Sequence, residues 1–417
     1  MKKKLLYLCL LFVSIVFLFA SCSDDREEDN STVRTYILLF PWTGNDSGDT
    51  GLLYNFTYNI NNVKAAIEDQ QGLNRERVLV YLQTSPSTAT LREIVYTDGK
   101  STYQLLKEYQ DVNCAEQGTI SQVLSDVQRF APANEYALMM GAHGCGWTYV
   151  SDWNNYPYNA RQLTFSDENG KPVTRSANAT DDGTSTRFFG SANAQKYEID
   201  VKTLANEIGR SGIHLRYILM DICYMGNIET AYELRKVTDY LIASPSEIMS
   251  YGMPYREMWK YLTGSIDYAG VCESFYDFYS TFFYPYGNIA VVNCAEIDQM
   301  ASLMKRINQA YHFDETQRSS LQVLDGFNRL GVGNIFFDFS DYVYHLVTDE
   351  ALLTEFNQQM KRLVPYYRTT PQLPTNLGGT LTTYPVTRFC GIAISDPSNH
   401  VVATRGMQKT GWYQATH

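Results

Sequence analysis

The sequence contains one histidine and one cysteine that each close an apolar run. His143 ends "YALMMGAH" and Cys223 ends "LRYILMDIC". An imidazole can exchange protons near neutral pH, and a thiol becomes a strong nucleophile once it loses its proton. With N–H donors for an oxyanion, such a pair can hydrolyse a peptide bond. A histidine and a cysteine with purely structural roles could also end apolar runs. The secondary-structure elements that carry the two residues are therefore needed to distinguish a catalytic pair from a structural one.

Those elements predict that the two side chains meet. Four short, continuous apolar runs are typical of buried parallel strands, and amphipathic segments between them are typical of helices. The strands are predicted at 35–42, 77–84, 136–143 and 215–223, and the helices at 59–72, 118–131 and 200–212. This alternation predicts a three-layer α/β/α sandwich with a mostly parallel sheet. Ligands of such sheets bind beyond the carboxyl ends of the strands, where His143 and Cys223 are both expected.

The chain after Cys223 predicts how its thiol is activated. The segment "CYMGNIETAYELRKV" is amphipathic, so Cys223 is expected to open a helix. A helix N-terminus lowers the pKa of a thiol, which predicts a thiolate. Gly144, which has no side chain, can present its backbone N–H to an oxyanion.

The segments around both residues resemble the clostripain family of cysteine peptidases, which are relatives of caspases and gingipains. The resemblance rests on "LMMGAHGCGW", "YILMDICYMGNIETAYEL", the loop "YGMPY" and the closing segments "FCGIAISDPSN" and "GWYQAT". It extends from about residue 33 to the C-terminus. It implies a caspase-like peptidase domain over 33–255. The aromatic-rich pattern that follows predicts a C-terminal helical and β subdomain over 256–417, with a late apolar strand at 390–397.

The resemblance also implies roles for individual residues. Cys223 would be the nucleophile and His143 the general acid–base, with the N–H groups of Gly144 and Cys223 as oxyanion donors. Asp221 would form a wall of the pocket for the residue before the scissile bond. A carboxylate there suits an arginine or lysine side chain. The resemblance therefore implies a cysteine endopeptidase that cleaves proteins or peptides after Arg or Lys.

One loop departs from the family pattern. Relatives carry several acidic residues in the segment that reads "ASPSEIMSYGMPY" here, whereas this chain has Pro245, Ser246 and Tyr251. Glu247 is the carboxylate that remains nearby, and it is the second residue predicted to bind substrate. The sequence therefore supports a preference for basic residues less strongly than it supports peptidase activity.

The N-terminus predicts export and lipidation. Basic residues 2–4 precede an apolar run over 5–20, which is shorter than the roughly 20 residues of a membrane span. Residues 1–21 are predicted to be a lipoprotein signal peptide, because "ASC" resembles a bacterial lipobox in which Cys22 is lipidated. The acidic segment 22–32 is predicted to be a solvated tether, and it resembles the surface-export signal of Bacteroidetes lipoproteins. We expect a lipoprotein held by its lipid in the outer membrane, on the surface of a Gram-negative bacterium.

The segment 151–196 lies between the two candidate catalytic residues and is polar. The resemblance implies activation by cleavage in this stretch. Arg175 and Arg187 are the predicted sites of self-cleavage, and the alternative is an uncut surface loop.

The composition limits other functions. A net charge of −11 and a pI of about 5.1 argue against a nucleic-acid partner. The cysteines form no CxxC pair, and neither a metal site nor a cofactor is predicted. The acidic turn at Asp181 and Asp182 leaves a calcium requirement as an open alternative.

Two other functions remain as alternatives. The 32 tyrosines could form the aromatic platform of a surface lipoprotein that binds glycans, although they are scattered along the chain. The chain could also be a catalytically inactive peptidase-like protein. The intact pair of His143 and Cys223 argues against that alternative.

Overall fold

The structure is a computed structural model that describes residues 31–154, 162–166, 172–176, 189–192, 194–283, 285–377 and 381–417. The predicted signal peptide, Cys22 and nearly all of the tether lie outside these residues, as do Arg187, Asp181 and Asp182. In the described part of the chain, no helix is both long and apolar enough to cross a membrane.

The four predicted strands and the three predicted helices are present in the first half of the chain, but two further strands, Thr88–Thr97 and Lys100–Gln110, follow the second predicted strand without an intervening helix and were not predicted. The strands are β1 (Arg34–Phe40), β2 (Glu76–Gln83), β3 (Thr88–Thr97), β4 (Lys100–Gln110), β5 (Glu135–Gly141), β6 (Gln162–Ser166), β7 (Pro172–Ser176), β8 (Phe189–Gly190), β9 (Glu198–Ile199), β10 (Leu215–Asp221), β11 (Tyr240–Ala243), β12 (Asn288–Asn293), β13 (Phe337–Asp338), β14 (Tyr366–Thr369), β15 (Gln372–Thr375), β16 (Thr382–Pro385) and β17 (Ala393–Ile394). The helices are α1 (Leu53–Asp69), α2 (Thr119–Phe130), α3 (Val150–Asn154), α4 (Val201–Ser211), α5 (Ile228–Leu234), α6 (Tyr255–Leu262), α7 (Tyr268–Ser280), α8 (Ile297–Ala310), α9 (Phe339–Leu346), α10 (Glu350–Leu363), α11 (Val401–Gly406) and α12 (Gly411–Thr416).

Nine of the described strands form one sheet, in the order β14-β12-β11-β10-β5-β1-β2-β3-β4. The contacts of β1 with β2 and β5, of β5 with β10 and of β10 with β11 are parallel, whereas both edges of the sheet are antiparallel. The four predicted strands are β1, β2, β5 and β10, each ending within two residues of its predicted end. The predicted α/β/α sandwich is confirmed, and its sheet is mixed, with four parallel strand pairs at the centre and two antiparallel pairs at each edge.

Alternate residues of the central strands face two separate cores. In β1, Ile37 and Leu39 pack with α2, α4 and α8, whereas Tyr36, Leu38 and Phe40 pack with α1, α6 and α7. Because both faces are covered, these strands are apolar at nearly every position. This two-sided burial explains why they were recognisable in the sequence.

The later part of the chain contributes to the same sheet. β12 and β14 extend it beyond β11, and their antiparallel pairing was not predicted. The predicted strand at 390–397 is reduced to β17, which pairs with β13. Gly391 before it has a φ of +90° and packs against Val364 and Tyr367, so the chain turns there rather than extending. The division at residues 255 and 256 stays a prediction.

Candidate active site

The order of the strands brings His143 and Cys223 together. Gly141 and Asp221, the last residues of β5 and β10, are register partners in the parallel ladder. His143 and Cys223 each follow their strand by two residues. Both line one cavity of about 210 Å³ at the carboxyl end of the sheet.

A short hairpin fixes the backbone of His143. The His143 N–H donates to the Gly190 carbonyl at 3.2 Å, and the Gly190 N–H donates back at 2.9 Å. Gly190 has a φ of +134°, and a Cβ there would lie 2.0 Å from the carbonyl oxygen of Tyr197. Only glycine therefore allows β8 and β9 to close beside His143.

Desolvation sets the protonation state of His143. Burial in the cavity wall lowers its pKa to about 4, and the carboxylate of Asp49 opposes this shift. The imidazole is therefore neutral at neutral pH, the form that can accept a proton.

Cys223 does not open a helix, so that prediction is wrong. The residue lies in a turn, and α5 begins only at Ile228, where the Asn227 side chain accepts the Thr230 N–H at 2.7 Å. Tyr224 has a φ of +62°, a left-handed conformation that interrupts any helix starting at the cysteine.

The thiol of Cys223 is correspondingly not activated by a helix N-terminus. Burial raises its pKa to about 12, and the negative charges of Glu247 and Asp221 act in the same direction. Its Sγ lies 3.4 Å from the carbonyl oxygen of Ile248 and 3.3 Å from the backbone nitrogen of Ile248. The resting form is thus a neutral thiol held against the loop that follows β11.

Asp221 is a buried carboxylate without a cation. It is 8% exposed, and no described lysine, arginine or histidine forms an ion pair with it. Burial raises its pKa to about 7, against the stabilising contacts from the Met253 N–H and the Tyr255 side chain. The loop closes over it at Gly252, which has a φ of +71° and where a Cβ would lie 2.4 Å from Oδ2 of Asp221.

Asn59 is a cavity residue that the sequence analysis missed. It is buried in α1, and its Nδ2 donates to Oδ2 of Asp221 at 3.2 Å. Its Oδ1 has no hydrogen-bond partner, although the residue lines the cavity. One helical turn earlier, Asn55 donates to the carbonyl of Ser250 at 2.7 Å. Two asparagines four residues apart on a helix beside apolar positions were the signal available in the sequence.

Glu247 reaches the cavity, but its oxygen atoms have partners. They accept the Asn376 N–H at 3.1 and 3.2 Å and the Tyr224 hydroxyl at 3.3 Å. Burial raises the pKa of this carboxyl group. Glu247 therefore joins the loop beside the thiol to the end of β15, which brings Asn376 to the cavity wall.

The other positions discussed above are distributed around this site. Gly144 is buried directly after His143. Ser246 turns away from the cavity, where its hydroxyl donates to Asn288 at 3.0 Å, while Tyr251 is exposed. Cys145 is buried in a separate apolar cluster.

The backbone of Arg175 lies in β7, opposite Leu163 of β6. The other predicted cleavage site, Arg187, is outside the described residues. Within the described ranges, no group of three or more His, Cys, Asp and Glu side chains is arranged to hold a metal ion.

Comparison with known proteins finds one matching family and several similar solved structures. The sequence pattern of the clostripain family, peptidase family C11, matches residues 176–403. A secreted C11 cysteine protease from Bacteroides thetaiotaomicron, iotapain, is 40% identical with a TM-score of 0.79, over 93% of this chain and 99% of that chain. A clostripain from the same species, in complex with the peptide inhibitor BTN-VLTK-AOMK, is 49% identical with a TM-score of 0.52, over 55% of this chain and 99% of that chain.

An inactive zymogen C11 protease from Parabacteroides distasonis is similar in fold. It is 24% identical with a TM-score of 0.73, over 93% of this chain and 99% of that chain. No curated protein matches the chain.

Proposed function

The chain belongs to the clostripain family of cysteine peptidases, and on that premise we propose that Cys223 is the nucleophile and His143 the general acid–base. The observation that carries this proposal is the shared cavity at the ends of β5 and β10, which both residues line. No other described cysteine lines that cavity. Cys145, the cysteine nearest to His143 in sequence, is fully buried in the apolar cluster against which Cys223 packs, and it does not line the cavity.

The protonation states define the order of proton transfers. A neutral His143 takes the proton of the Cys223 thiol as Sγ attacks the scissile carbonyl carbon, forming a carbon–sulfur bond. The imidazolium then gives that proton to the leaving amine as the carbon–nitrogen bond breaks. A water molecule, deprotonated by His143, hydrolyses the thioester and restores the thiol. Burial raises the thiol pKa, and the Ile248 N–H that donates to Sγ at 3.3 Å opposes this shift, so it favours the thiolate that forms during attack.

The oxyanion formed in both steps needs donors. We assign this role to the backbone N–H groups of Gly144 and Cys223, as the family resemblance implies. The two residues follow neighbouring strands at one end of the sheet. Cys223 lines the cavity, whereas Gly144 is buried directly after His143.

The pocket residues support cleavage after lysine or arginine. Asp221 is buried without a cation, so a cationic side chain entering the cavity would supply the missing charge. The free Oδ1 of Asn59 offers a second acceptor. A relative was solved with an inhibitor whose peptide part, VLTK, ends in lysine. Glu247 contributes by holding the pocket loop to Asn376.

Self-processing is a further part of the proposal. Arg175 and Arg187 remain the expected cleavage sites, between the two catalytic residues. Arg175 must first leave its pairing with Leu163, because a substrate segment has to cross the cleft in extended form. N-terminal sequencing of the wild type and of Cys223→Ala tests this. A new terminus in the wild type alone would support self-processing, and an uncut, fully active wild type would contradict it.

We also propose export and lipidation at Cys22. The support is the N-terminal sequence, together with a relative that is described as secreted. A Cys22→Ala variant should move from the membrane fraction to the soluble fraction, because the acyl chains would supply the membrane affinity. Equal membrane retention of the variant would contradict lipidation.

A mixed peptide library tests the enzymatic proposal directly. The purified chain is incubated with the library, and the cut sites are mapped by mass spectrometry. We expect cuts after lysine and arginine that Cys223→Ala does not make. Cuts without a basic preference would contradict the role of Asp221. Absence of any cut, with binding to glycans instead, would favour the glycan-binding alternative.

A further inference from the structure

Three tyrosines beside the cleft are unusually exposed. Tyr54, Tyr58 and Tyr251 are 79%, 51% and 52% exposed, which places them among the five most exposed large apolar residues of the described part of the chain. We call these three residues the aromatic rim. Exposed aromatic surface next to a binding cavity marks an interaction site more often than isolated exposed rings do.

The first side of the aromatic rim belongs to a helix that also forms the cavity. Asn55 and Asn59 of α1 line the cavity, and Tyr54 and Tyr58 each precede one of them. Because residues four apart share one face of a helix, the two tyrosines form a continuous strip beside the cavity face. The strip thus borders the catalytic cleft along α1.

The second side belongs to the loop that covers the thiol. Ser250 accepts the hydrogen bond from Asn55, so Tyr251 lies next to the point where the loop meets α1. Its ring packs against Phe282 with centroids 5.3 Å apart. The Tyr279 hydroxyl donates to the Gly252 carbonyl at 2.5 Å, which holds the loop from behind. Tyr251 is therefore held by Phe282 and by the anchored loop, while about half of the residue stays exposed to solvent.

The size of the cavity determines what must cover the aromatic rim. An extended peptide advances about 3.3 Å per residue, so a cavity of about 210 Å³ admits the side chain before the scissile bond but not its neighbours. Those neighbours have to lie over the surface around the cavity. Tyrosine rings bind apolar and aromatic side chains well, because they offer a large rigid area with little conformational entropy to lose.

We propose that the aromatic rim binds apolar or aromatic side chains of the substrate that flank the cleaved basic residue. This inference rests on the proposed peptidase function and deepens it. Apolar side chains beside a basic residue are normally buried in a folded protein. The preferred substrate is accordingly an unfolded or extended polypeptide segment, rather than the charged surface loop of a folded protein.

A matched pair of peptides tests this proposal. Both carry one lysine, flanked by phenylalanine and leucine in the first peptide and by serine and glycine in the second. The wild type should cleave the apolar peptide with about tenfold higher kcat/KM, mainly through a lower KM. Two variants remove parts of the aromatic rim: the Tyr54→Ser/Tyr58→Ser double variant and Tyr251→Ser. In at least one of them, the ratio of the two kcat/KM values should fall below about twofold.

Tyr103→Ser is the control, because Tyr103 is also exposed but lies on β4, at the opposite edge of the sheet from β14. It should keep the wild-type ratio. Equal cleavage of the two peptides by the wild type would overturn the proposal while leaving the peptidase function intact. The proposal would also be overturned if the aromatic-rim variants lowered kcat/KM for both peptides by the same factor. No Cys223-dependent cleavage of either peptide would overturn the peptidase proposal itself, and this inference with it.

Discussion

The two ends of the central strands treat buried polar groups in opposite ways. At the amino end, the Arg34 guanidinium lies 2.5 Å from Glu135 and 3.3 Å from Glu76, and donates to the Tyr36 hydroxyl and the Gly264 carbonyl. At the carboxyl end, Asp221 has no described cationic partner, and Oδ1 of Asn59 accepts no hydrogen bond. The sheet thus carries a completed charge network at the amino ends of β1, β2 and β5, and an incomplete one at the carboxyl end of β10.

This difference suits the amino end to stabilising the fold and the carboxyl end to binding a ligand. A buried acceptor without a partner costs about 1–3 kcal/mol, so an incomplete network reduces the stability of the fold. Under the proposed function, a substrate that brings a cation and hydrogen-bond donors would recover this energy on binding. At the amino end, by contrast, Arg34 already pairs with both Glu76 and Glu135, so neither of these carboxylates lacks a cationic partner.

The largest expected effect concerns the carboxyl end. Cys223→Ala and His143→Ala should each lower kcat/KM for peptide cleavage by roughly 10³-fold or more, because each removes a group that the bond-breaking steps require. Thermal unfolding should be nearly unchanged, since neither side chain belongs to the two main cores. Cys145→Ala is the control and should retain activity. An active Cys223→Ala together with an inactive Cys145→Ala would show that the nucleophile is misassigned.

A change at the amino end should have the reverse effect. Arg34→Met leaves Glu76 buried and unpaired, which should lower the free energy of unfolding by about 3–5 kcal/mol. Urea denaturation measures this loss, and kcat/KM well below the unfolding transition should stay close to the wild-type value. Arg256→Met removes an exposed ion pair with Asp69 and should change stability little. Loss of activity in a stable Arg34→Met protein would contradict the separation of the two ends.

Asp221 gives a smaller effect that depends on pH. In the free protein its carboxyl group has a pKa of about 7, and it must be ionised to attract a lysine or arginine. The kcat/KM of the wild type for a lysine peptide should therefore rise as the pH increases through about 7. Asp221→Asn should lose roughly tenfold to a hundredfold for that peptide at pH 8, and this limb of its pH profile should disappear. An unchanged profile in the variant would assign the ionisation to another group.

The smallest expected effect is on stability, and it has the opposite sign. The pKa of Asp221 is raised in the folded state, so the folded protein binds more protons than the unfolded chain between about pH 4 and 7. The wild type should lose stability as the pH rises across this range. Asp221→Asn should then be more stable than the wild type at pH 8, where the wild-type carboxylate is ionised, and similar to it near pH 4. Lower stability of the variant at pH 8 would indicate that Asp221 is already compensated by a partner.

The sequence by itself determined the four central strands β1, β2, β5 and β10, and the end of the sheet at which His143 and Cys223 lie. β1, β2, β5 and β10 are buried on both faces, and this burial requires continuous apolar runs that are visible without a structure. Since parallel strands share one carboxyl end, the positions of His143 and Cys223 after their runs were enough to predict that they meet. Family resemblance added Asp221 as a pocket residue, a role that remains a proposal.

Only the tertiary structure decided what surrounds these residues. Asn59 comes from α1, and the Asn376 whose N–H donates to Glu247 directly follows β15, so both reach the cavity from elements far along the chain from Cys223. The prediction of a helix at Cys223 failed for the same reason. The left-handed Tyr224 is held by a bond from its N–H to the carbonyl of Ser246, in a loop after another strand. Local propensity records the periodicity of a segment, whereas these contacts depend on chain elements that only folding brings into reach.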